Sequence, residues 1–277
     1  MLEIDLKKVN KKDFLTYEEG KLTFLSSPQE PILLKSMSQL EVYVPTDVKV
    51  ELIELLTDLN DYQISITVQG ELKHQKIYLD NCEEIKIQNT VKNEGGTYML
   101  TIIDLSRCNL KSTVNIGTFI KNSFSDIYCA SLCGVGSKKF HNQIVNYAPN
   151  TQAYMENYGI AYKNGDLEIV GIGEIKHGAY ASTNRQKSNL IVIDSSAKAS
   201  SKPYLYIDEN DVEASHASAV GDISEEQLFY LMSRGFDKDL AKRMIILGYF
   251  RPVLDRLSDS KIKEQIVNQI KGVIDNV

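Results

Sequence analysis

His216 is the residue of this chain best placed to do metal chemistry, because it lies where a strand-rich region ends and a helical tail begins. The residues around it run from Asp211 to Gly221. A neutral imidazole can ligate iron, and its charge is easily tuned near neutral pH. The alternative is a histidine hydrogen-bonded at a strand–helix corner. The other histidines are isolated in the sequence and are interpreted as structural: His74, His141 and His177.

Four cysteines are the other candidate ligands: Cys82, Cys108, Cys129 and Cys133. Cys129 and Cys133 form a C-x3-C pair, and thiolates are natural ligands of iron–sulfur clusters. On one strand these two residues would lie about 13 Å apart, at roughly 3.3 Å per residue, which is too far to share one metal ion. Only a turn between them would bring the thiols together. We interpret all four as reduced core thiols and keep Cys129 and Cys133 as a secondary metal candidate.

The composition is that of an ordinary globular protein, with 277 residues, 43% hydrophobic and 25% charged. The net charge of -6 argues against a nucleic-acid partner, because phosphate binding needs a basic surface. No apolar run approaches the roughly 18–20 residues that span a bilayer, and the first residues lack the apolar core of a signal peptide. We therefore expect a cytoplasmic protein without a membrane partner.

Short β-rich runs recur from about Lys21 to Ile207. Many alternate apolar and polar residues, as in Leu40–Val44 and Tyr62–Val68, which is the period of a half-buried strand. Such a series predicts a sandwich, a barrel or a β-solenoid. No clean repeat of about 20–25 residues selects the solenoid. The first twenty residues are charged and weakly helical, and we interpret them as a short cap.

From Ser224 the pattern changes to helix start and stop signals. Ser224 and Gln227 form a capping box, and Gly235 ends the helix. Asp237 is the expected cap of a second helix, which we end at Gly248.

Two further helices are predicted after Gly248, one starting at Pro252 and one capped by Ser260. The last carries isoleucines at i+4 spacing: Ile262, Ile266, Ile270 and Ile274. Four short amphipathic helices cannot bury their apolar faces alone, so they must pack on one another, on the β region or on a partner.

The junction at His216 and the tail after it are similar to the C-terminal signature of the SufB/SufD family, the scaffold proteins of the SUF iron–sulfur cluster assembly system. The similar segments are Glu225–Gly235, Gly248–Phe250, Tyr180–Val192 and Lys202–Ile207. The resemblance is specific over about residues 140–258 and weaker before them.

The resemblance implies a mainly β chain with a right-handed parallel β-helix (β-solenoid) core and a small C-terminal α-helical domain. We assign residues 1–20 to a short N-terminal cap, 21–221 to the β-helix core and 222–277 to the helical domain. About 7–9 coils are expected at 20–25 residues each. The family usually has a helical N-terminal domain, for which we expect little room here.

The junction resembles SufD more than SufB. It keeps the histidine shared by the family, His216, with Gly221 five residues later. The carboxylate and the thiol expected of SufB fall at Ala217 and Lys187, and Ala214 replaces the cysteine expected of SufD.

By resemblance, His216 is a cluster or metal candidate near a protomer interface, where a transient Fe–S cluster is assembled. The partner is a SufB-like protomer or a second copy of the chain, and the helical tail docks a SufC-like ABC-type ATPase. The residues that the resemblance assigns to this docking are Leu228, Phe229, Arg234, Gly235, Met244, Leu247 and Phe250. An alternative is that the tail caps the end of the β-helix. The chain has no phosphate-loop motif and hence no expected nucleotide site of its own.

The sequence thus predicts a non-enzymatic scaffold subunit, and two alternatives stay open. One is a β-solenoid enzyme acting on polysaccharide, which the helical tail and the lack of a signal peptide disfavour. The other is an adaptor that binds the ATPase and carries no cluster, consistent with Ala214, Ala217 and Lys187.

Overall fold

The computed structural model of the chain describes residues 1–6, 8, 11–35, 38–57, 60–79 and 82–274, with the side chains of Lys35, Val273 and Ile274 left aside. The described strands form two sheets. Across sheet A the order is β1 (Leu2–Ile4), β5 (Ile32–Lys35), β7 (Lys49–Leu56), β9 (Glu71–Tyr78), β11 (Thr97–Asp104), β13 (Phe124–Cys133), β15 (Gln152–Ala161), β17 (Ser182–Val192) and β19 (Val212–Asp222). Across sheet B the order is β18 (Lys198–Ile207), β16 (Asp166–Ile175), β14 (Ser137–Asn146), β12 (Asn109–Thr118), β10 (Glu84–Asn93), β8 (Asp61–Val68), β6 (Gln39–Val44), β4 (Lys21–Phe24), β3 (Leu15–Glu18) and β2 (Lys11–Lys12).

From β4 onward the chain passes alternately from sheet B to sheet A, so it winds as a parallel β-solenoid of about eight turns. The predicted fold class is confirmed. The coils lengthen along the chain: Ile32 pairs with Leu52, 20 residues later, whereas Thr183 pairs with Glu213, 30 residues later. This drift removes any fixed period, which explains why the solenoid leaves no repeat in the sequence.

The first twenty residues contain strands, so the expected weak helix is wrong. β1 pairs in parallel with β5, and β2, β3 and β4 form an antiparallel meander. Between β3 and β4 lies a two-residue turn in which Glu19 and Gly20 have φ values of 50° and 84°. Two successive positive φ values favour a tight hairpin. The limits assigned to the three domains stay a prediction.

Two apolar layers explain the burial of the strands. Inside the solenoid, sheet B strands such as β10 alternate buried and exposed side chains. The sheet A strands β9, β11, β13 and β15 instead end in runs of five buried residues. The outward-facing side chains of those runs, including Ile77 and Ile103, pack against the helices. The ends of these four strands are therefore covered on both faces, as continuous apolar runs require.

The tail has three described helices: α1 (Glu225–Ser233), α2 (Lys238–Leu254) and α3 (Ser260–Ile274). The prediction of four helices was wrong, because no new helix begins at Pro252. That residue lies inside the last turn of α2. Proline lacks an amide hydrogen and its ring clashes with the carbonyl four residues earlier. Near the end of a helix, proline costs only one backbone hydrogen bond. The residue four positions before Pro252 is Gly248.

The predicted caps of the first two helices are confirmed. Ser224 accepts a hydrogen bond from the Gln227 amide at 3.2 Å, and Asp237 accepts one from the Leu240 amide at 2.8 Å. Gly235, with φ 93°, ends α1. The cap of α3 is Asp259, which accepts from the amides of Lys261 and Ile262, and not Ser260 as expected.

The helical tail packs on the outer face of sheet A. Ile246, Phe250, Val253 and Leu254 of α2 are buried there, together with three isoleucines of α3: Ile262, Ile266 and Ile270. The fourth isoleucine of the predicted series, Ile274, falls outside the described side chains. Among the described residues, no helix combines the length and the apolar character needed to cross a membrane.

Candidate functional site

The last coil of the solenoid, formed by β18 and β19, is open. These two strands lie at the edges of their sheets, so within the described part of the chain each has one edge without a neighbouring strand. No residue of β19 is buried. α2 contacts β11 and β13 instead, in the middle of sheet A. The alternative that the tail caps the end of the solenoid is therefore wrong, because its apolar side chains face sheet A.

His216 lies in the middle of β19 and is exposed. Its register partner on β17 is Gln186, which is buried inside the solenoid. Paired residues of parallel strands point to the same face, so His216 belongs to the inner row of the last coil. It is exposed because no further coil lies over it. Lys187 pairs with Ala217 and belongs to the outer, exposed row.

A polar layer lies directly beneath His216. The Asn184 amide donates to the Asn146 side chain at 2.8 Å, and the Gln186 amide donates to the Tyr204 carbonyl at 2.6 Å. Room for these side chains comes from Gly171 and Gly173. A Cβ at Gly171 would lie 2.6 Å from the Gln186 side-chain oxygen, and one at Gly173 would collide with Asn184. The sequence analysis missed this layer; two inward-facing glycines on one strand were the available signal.

The secondary metal candidate fails on geometry. Cys129 and Cys133 lie on one continuous strand, β13, with no turn between them, and both are buried. Burial raises the pKa of the Cys133 thiol to about 11 and that of Cys129 further. Within the described ranges, no group of three or more His, Cys, Asp or Glu residues could hold a metal ion.

A groove lies between α1 and α2. It has a volume of about 630 Å³ and is lined by Glu226, Gln227, Tyr230, Leu231, Met244, Ile245, Gly248 and Tyr249. α1 has no buried residue, and two of the residues that line the groove, Tyr230 and Met244, are 56% and 41% exposed. Exposed apolar side chains grouped around a groove are typical of a protein-binding surface.

The residues predicted to dock the ATPase divide between two faces. Phe229, Arg234 and Met244 are exposed, and Leu228 is half-buried. Gly235 forms the exposed turn after α1. Two residues of the predicted set face sheet A instead. Leu247 packs against the apolar cluster between the helices and sheet A, and Phe250 is 1% exposed. Phe250 therefore supports α2 and is a correction to the predicted set, because its ring faces the solenoid. Tyr230, missed by the sequence analysis, lies 5.3 Å beneath the Arg234 guanidinium.

Arg256 fastens the tail to sheet A. Its guanidinium donates to Asp126 at 2.7 Å and to the Thr101 hydroxyl at 3.1 Å, and it stacks 4.1 Å over the Tyr128 ring. Burial raises the pKa of Asp126, and although Arg256 opposes that effect, the pKa reaches about 6. The carboxyl at this contact between tail and solenoid therefore changes its charge near pH 6.

A buried charged network lies inside the coils of β7 to β11. Glu54 accepts from the His74 Nε2 at 2.6 Å, from the Lys76 ammonium at 3.3 Å and from the Tyr62 hydroxyl. The His74 Nδ1 lies 2.9 Å from the Tyr98 hydroxyl. Burial alone would raise the pKa of Glu54, but Lys76, His74 and Tyr62 lower it to about 2. Burial also lowers the pKa of Lys76, to about 8, and that of His74.

A second buried ion pair follows in the next coils. The Lys138 ammonium donates to Asp104 at 2.7 Å and to the carbonyls of Ser106 and Leu132 at 2.7 and 2.9 Å. Asp104 also accepts from the Ser131 hydroxyl at 2.6 Å. Both networks consist of residues scattered along the sequence, so the register of the coils, and no local motif, creates them.

Comparison with known proteins assigns the family. The family model described as "SUF system FeS cluster assembly, SufBD core domain" matches residues 57–249, well over half of the chain. The chain is 35% identical to the iron–sulfur cluster assembly protein SufD of Bacillus subtilis over 138 residues, which are 50% of this chain and 32% of that protein. It is 29% identical to SufB of the same organism over 115 residues, which are 42% of this chain and 25% of that protein.

A chloroplastic protein of Arabidopsis thaliana, ABCI7, is 29% identical over 216 residues, which are 76% of this chain and 46% of that protein. Each of these matches spans less than half of the relative's own length. The chain belongs to the SufBD family of SUF-system Fe–S cluster assembly proteins, and it is similar to SufD more than to SufB.

Proposed function

We propose that the chain is a non-enzymatic scaffold subunit that pairs through its last coil with a SufB-like protomer or with a second copy of itself. The observation that carries this proposal is the open last coil, in which β19 has no buried residue and the helices lie elsewhere. An exposed strand edge is a template for pairing with another chain. Such an edge is rarely left bare without a partner.

Of the two open edges, β19 is the better pairing strand. β18 contains Pro203, which has no amide hydrogen and so interrupts an edge. β19 has no proline, and small side chains surround its histidine: Ala214, Ser215, Ala217, Ser218 and Ala219. A partner strand can approach these closely. His216 would then face the joint between the two protomers.

In this proposal, a transient Fe–S cluster is the cargo assembled at that joint. His216 supplies one imidazole, and the remaining ligands come from the partner. The chain thereby acts as half of a site, and the chemistry of iron and sulfide belongs to the complex. We keep the cytoplasm as the proposed location, to be checked by cell fractionation, since one relative is named as chloroplastic.

We further propose that the groove between α1 and α2 docks a SufC-like ATPase. Support comes from its volume of about 630 Å³ and from the exposed apolar residues on its rim. Because Arg256 fastens α2 and α3 to sheet A, movement of a docked ATPase would be transmitted to the solenoid.

The test of pairing and cluster assembly is co-expression with SUF ATPase and SufB-like subunits, followed by anaerobic purification. His216→Ala is compared with His177→Ala, an exposed histidine outside the last coil. We expect every complex to form, with iron and sulfide lost only in His216→Ala. Equal iron and sulfide in all three would favour the adaptor without a cluster. No complex at all would contradict the proposal.

The groove is tested separately with Tyr230→Asp and Val135→Asp. The two side chains are 56% and 67% exposed, but Tyr230 lines the groove, whereas Val135 lies in the turn between β13 and β14 and does not line it. We expect Tyr230→Asp to lose the ATPase in a pull-down and Val135→Asp to retain it. Retention by both variants would exclude the groove as the docking site.

A further inference from the structure

Cys82 and Cys108 meet at one corner of the solenoid. They precede β10 and β12; Glu84, two residues after Cys82, is paired in register with Asn109, the residue after Cys108. The two sulfur atoms lie 2.9 Å apart, and the Cys82 amide donates to the Cys108 sulfur at 2.8 Å. Two cysteines 26 residues apart are thus held in contact by the stacking of successive coils.

We propose that Cys82 and Cys108 form a site of reversible oxidation, at which hydrogen peroxide converts the two thiols into a disulfide that joins neighbouring coils. Adjacent parallel strands lie about 4.8 Å apart, and the one-residue offset between the two cysteines adds roughly 3.3 Å along the chain, which gives a Cα separation of about 6 Å. That lies within the range of about 4.4–6.8 Å that disulfides span. The sulfur atoms need only approach to about 2.05 Å, so closure requires no rearrangement of the coils.

The chemistry is a two-electron oxidation in two steps. The Cys82 sulfur attacks one peroxide oxygen, the O–O bond breaks, and a sulfenic acid and one water form. The Cys108 sulfur then attacks the Cys82 sulfur, the S–O bond breaks, and the hydroxide leaves with the thiol proton as a second water. Both sulfurs are oxidised, and the two peroxide oxygens are reduced to water. A dithiol reductant reverses the reaction by exchange.

The site is selective because the four cysteines differ in access. Cys82 is partly exposed, so peroxide can reach it, and Cys108 lies buried beneath as the resolving thiol. Cys129 and Cys133 are buried in the core, and burial raises the pKa of both. Since the thiolate is the nucleophile, these two are poor targets.

The disulfide would stiffen the body of the solenoid without touching the proposed pairing or docking surfaces. It would close a loop of 26 residues between two coils. Cross-links of that length restrict the unfolded chain, and we expect the melting temperature to rise by roughly 5 °C or more.

The test treats the reduced chain with hydrogen peroxide and measures its melting temperature. A second portion is unfolded in urea, its remaining thiols are blocked with N-ethylmaleimide, and intact mass and peptide linkage are measured. We expect two blocked thiols, a peptide joining Cys82 to Cys108, the higher melting temperature, and full reversal by dithiothreitol. Cys133→Ala, a matched cysteine substitution, should form the same linkage with one blocked thiol, whereas Cys82→Ser should form no linkage.

Three results would overturn the proposal. These are four blocked thiols after treatment, oxidation of Cys82 to sulfinic or sulfonic acid without a linkage, or a disulfide that joins other cysteines. Because Cys82 is partly exposed, Cys82→Ser is expected to fold, and a melting curve of the reduced variant checks this directly.

Discussion

Inward-facing polar residues are buried in the coils around β7–β11 and exposed in the last coil. In the former, His74 is completely buried and bonded to Glu54 and Tyr98. In the latter, His216 occupies an inward-facing row and yet is exposed. The difference is the neighbour: His74 has a coil on each side, and His216 has one side only. In a solenoid, the inward-facing polar groups of one coil are therefore buried and hydrogen-bonded by the coils on either side. The inward-facing residues of the last coil are buried only if another chain packs on its open side.

The largest effect is expected from breaking the sealed interior at Lys76. Lys76→Met leaves the Glu54 carboxylate buried without its ammonium partner, which we expect to lower the free energy of unfolding by about 3–5 kcal/mol. Lys73→Met, an exposed lysine of the same strand, should change it by less than about 0.5 kcal/mol. Urea unfolding followed by circular dichroism measures both. Equal effects would mean that the network adds nothing beyond ordinary burial.

Substituting His74 and His216 compares the buried coils with the last coil most directly. His74→Ala removes two buried hydrogen bonds and leaves a cavity, so we expect a cost of about 2–3 kcal/mol in unfolding free energy. His216→Ala, on the open coil, should cost less than about 0.5 kcal/mol. A large loss of stability in the isolated His216→Ala chain would contradict the view that His216 makes no buried contacts in the last coil.

A pH series tests the seam between the tail and sheet A. The pKa of Asp126 is raised from its usual range to about 6, so the folded state retains a proton that the unfolded state releases between about pH 4 and 6. The contribution of this carboxyl to stability therefore falls as the pH rises through that window. Relative to the native chain, Asp126→Asn should gain about 2 kcal/mol between pH 4 and pH 7.

Asp61→Asn, at an exposed position, is the control for this series and should show no such change. Unfolding in urea at each pH provides the measurement. An Asp126→Asn advantage that shrinks with rising pH would show the opposite sign of coupling.

The smallest effect is expected at the polar layer beneath His216. Gly173→Ala places a methyl group against Asn184 and Leu205, and we expect a cost of about 1–2 kcal/mol from overpacking. Gly221→Ala on the open coil meets nothing within 4 Å and should cost less than about 0.5 kcal/mol. Melting curves of the two variants separate these cases.

The sequence predicts local features of this fold well and long-range ones poorly. The caps at Ser224 and Asp237 and the stop at Gly235 depend on neighbouring residues alone, and the structure confirms them. The merging of the second and third predicted helices across Pro252 depends on packing against sheet A, which no local signal contains.

The same limit applies to the candidate site. The position of His216 could be inferred from the junction between strands and helices, but its exposure depends on where the helices pack. The networks at Glu54 and Asp104 form between coils whose lengths drift, so their partners could not be aligned from the sequence. One signal was present: the outward-facing Ile53, Ile77 and Ile103 indicate that something apolar covers sheet A.

The most direct test of the central claim, that the last coil is a pairing surface, is light scattering during size-exclusion chromatography of the chain alone and mixed with a SufB-like protomer. Ser218→Arg places a long charged side chain two residues from His216, and Thr90→Arg introduces the same side chain at an exposed position of sheet B. We predict that Ser218→Arg weakens the dimer roughly tenfold or more while melting like the native chain, and that Thr90→Arg pairs normally. A Ser218→Arg chain that pairs as tightly as the native chain would contradict the account.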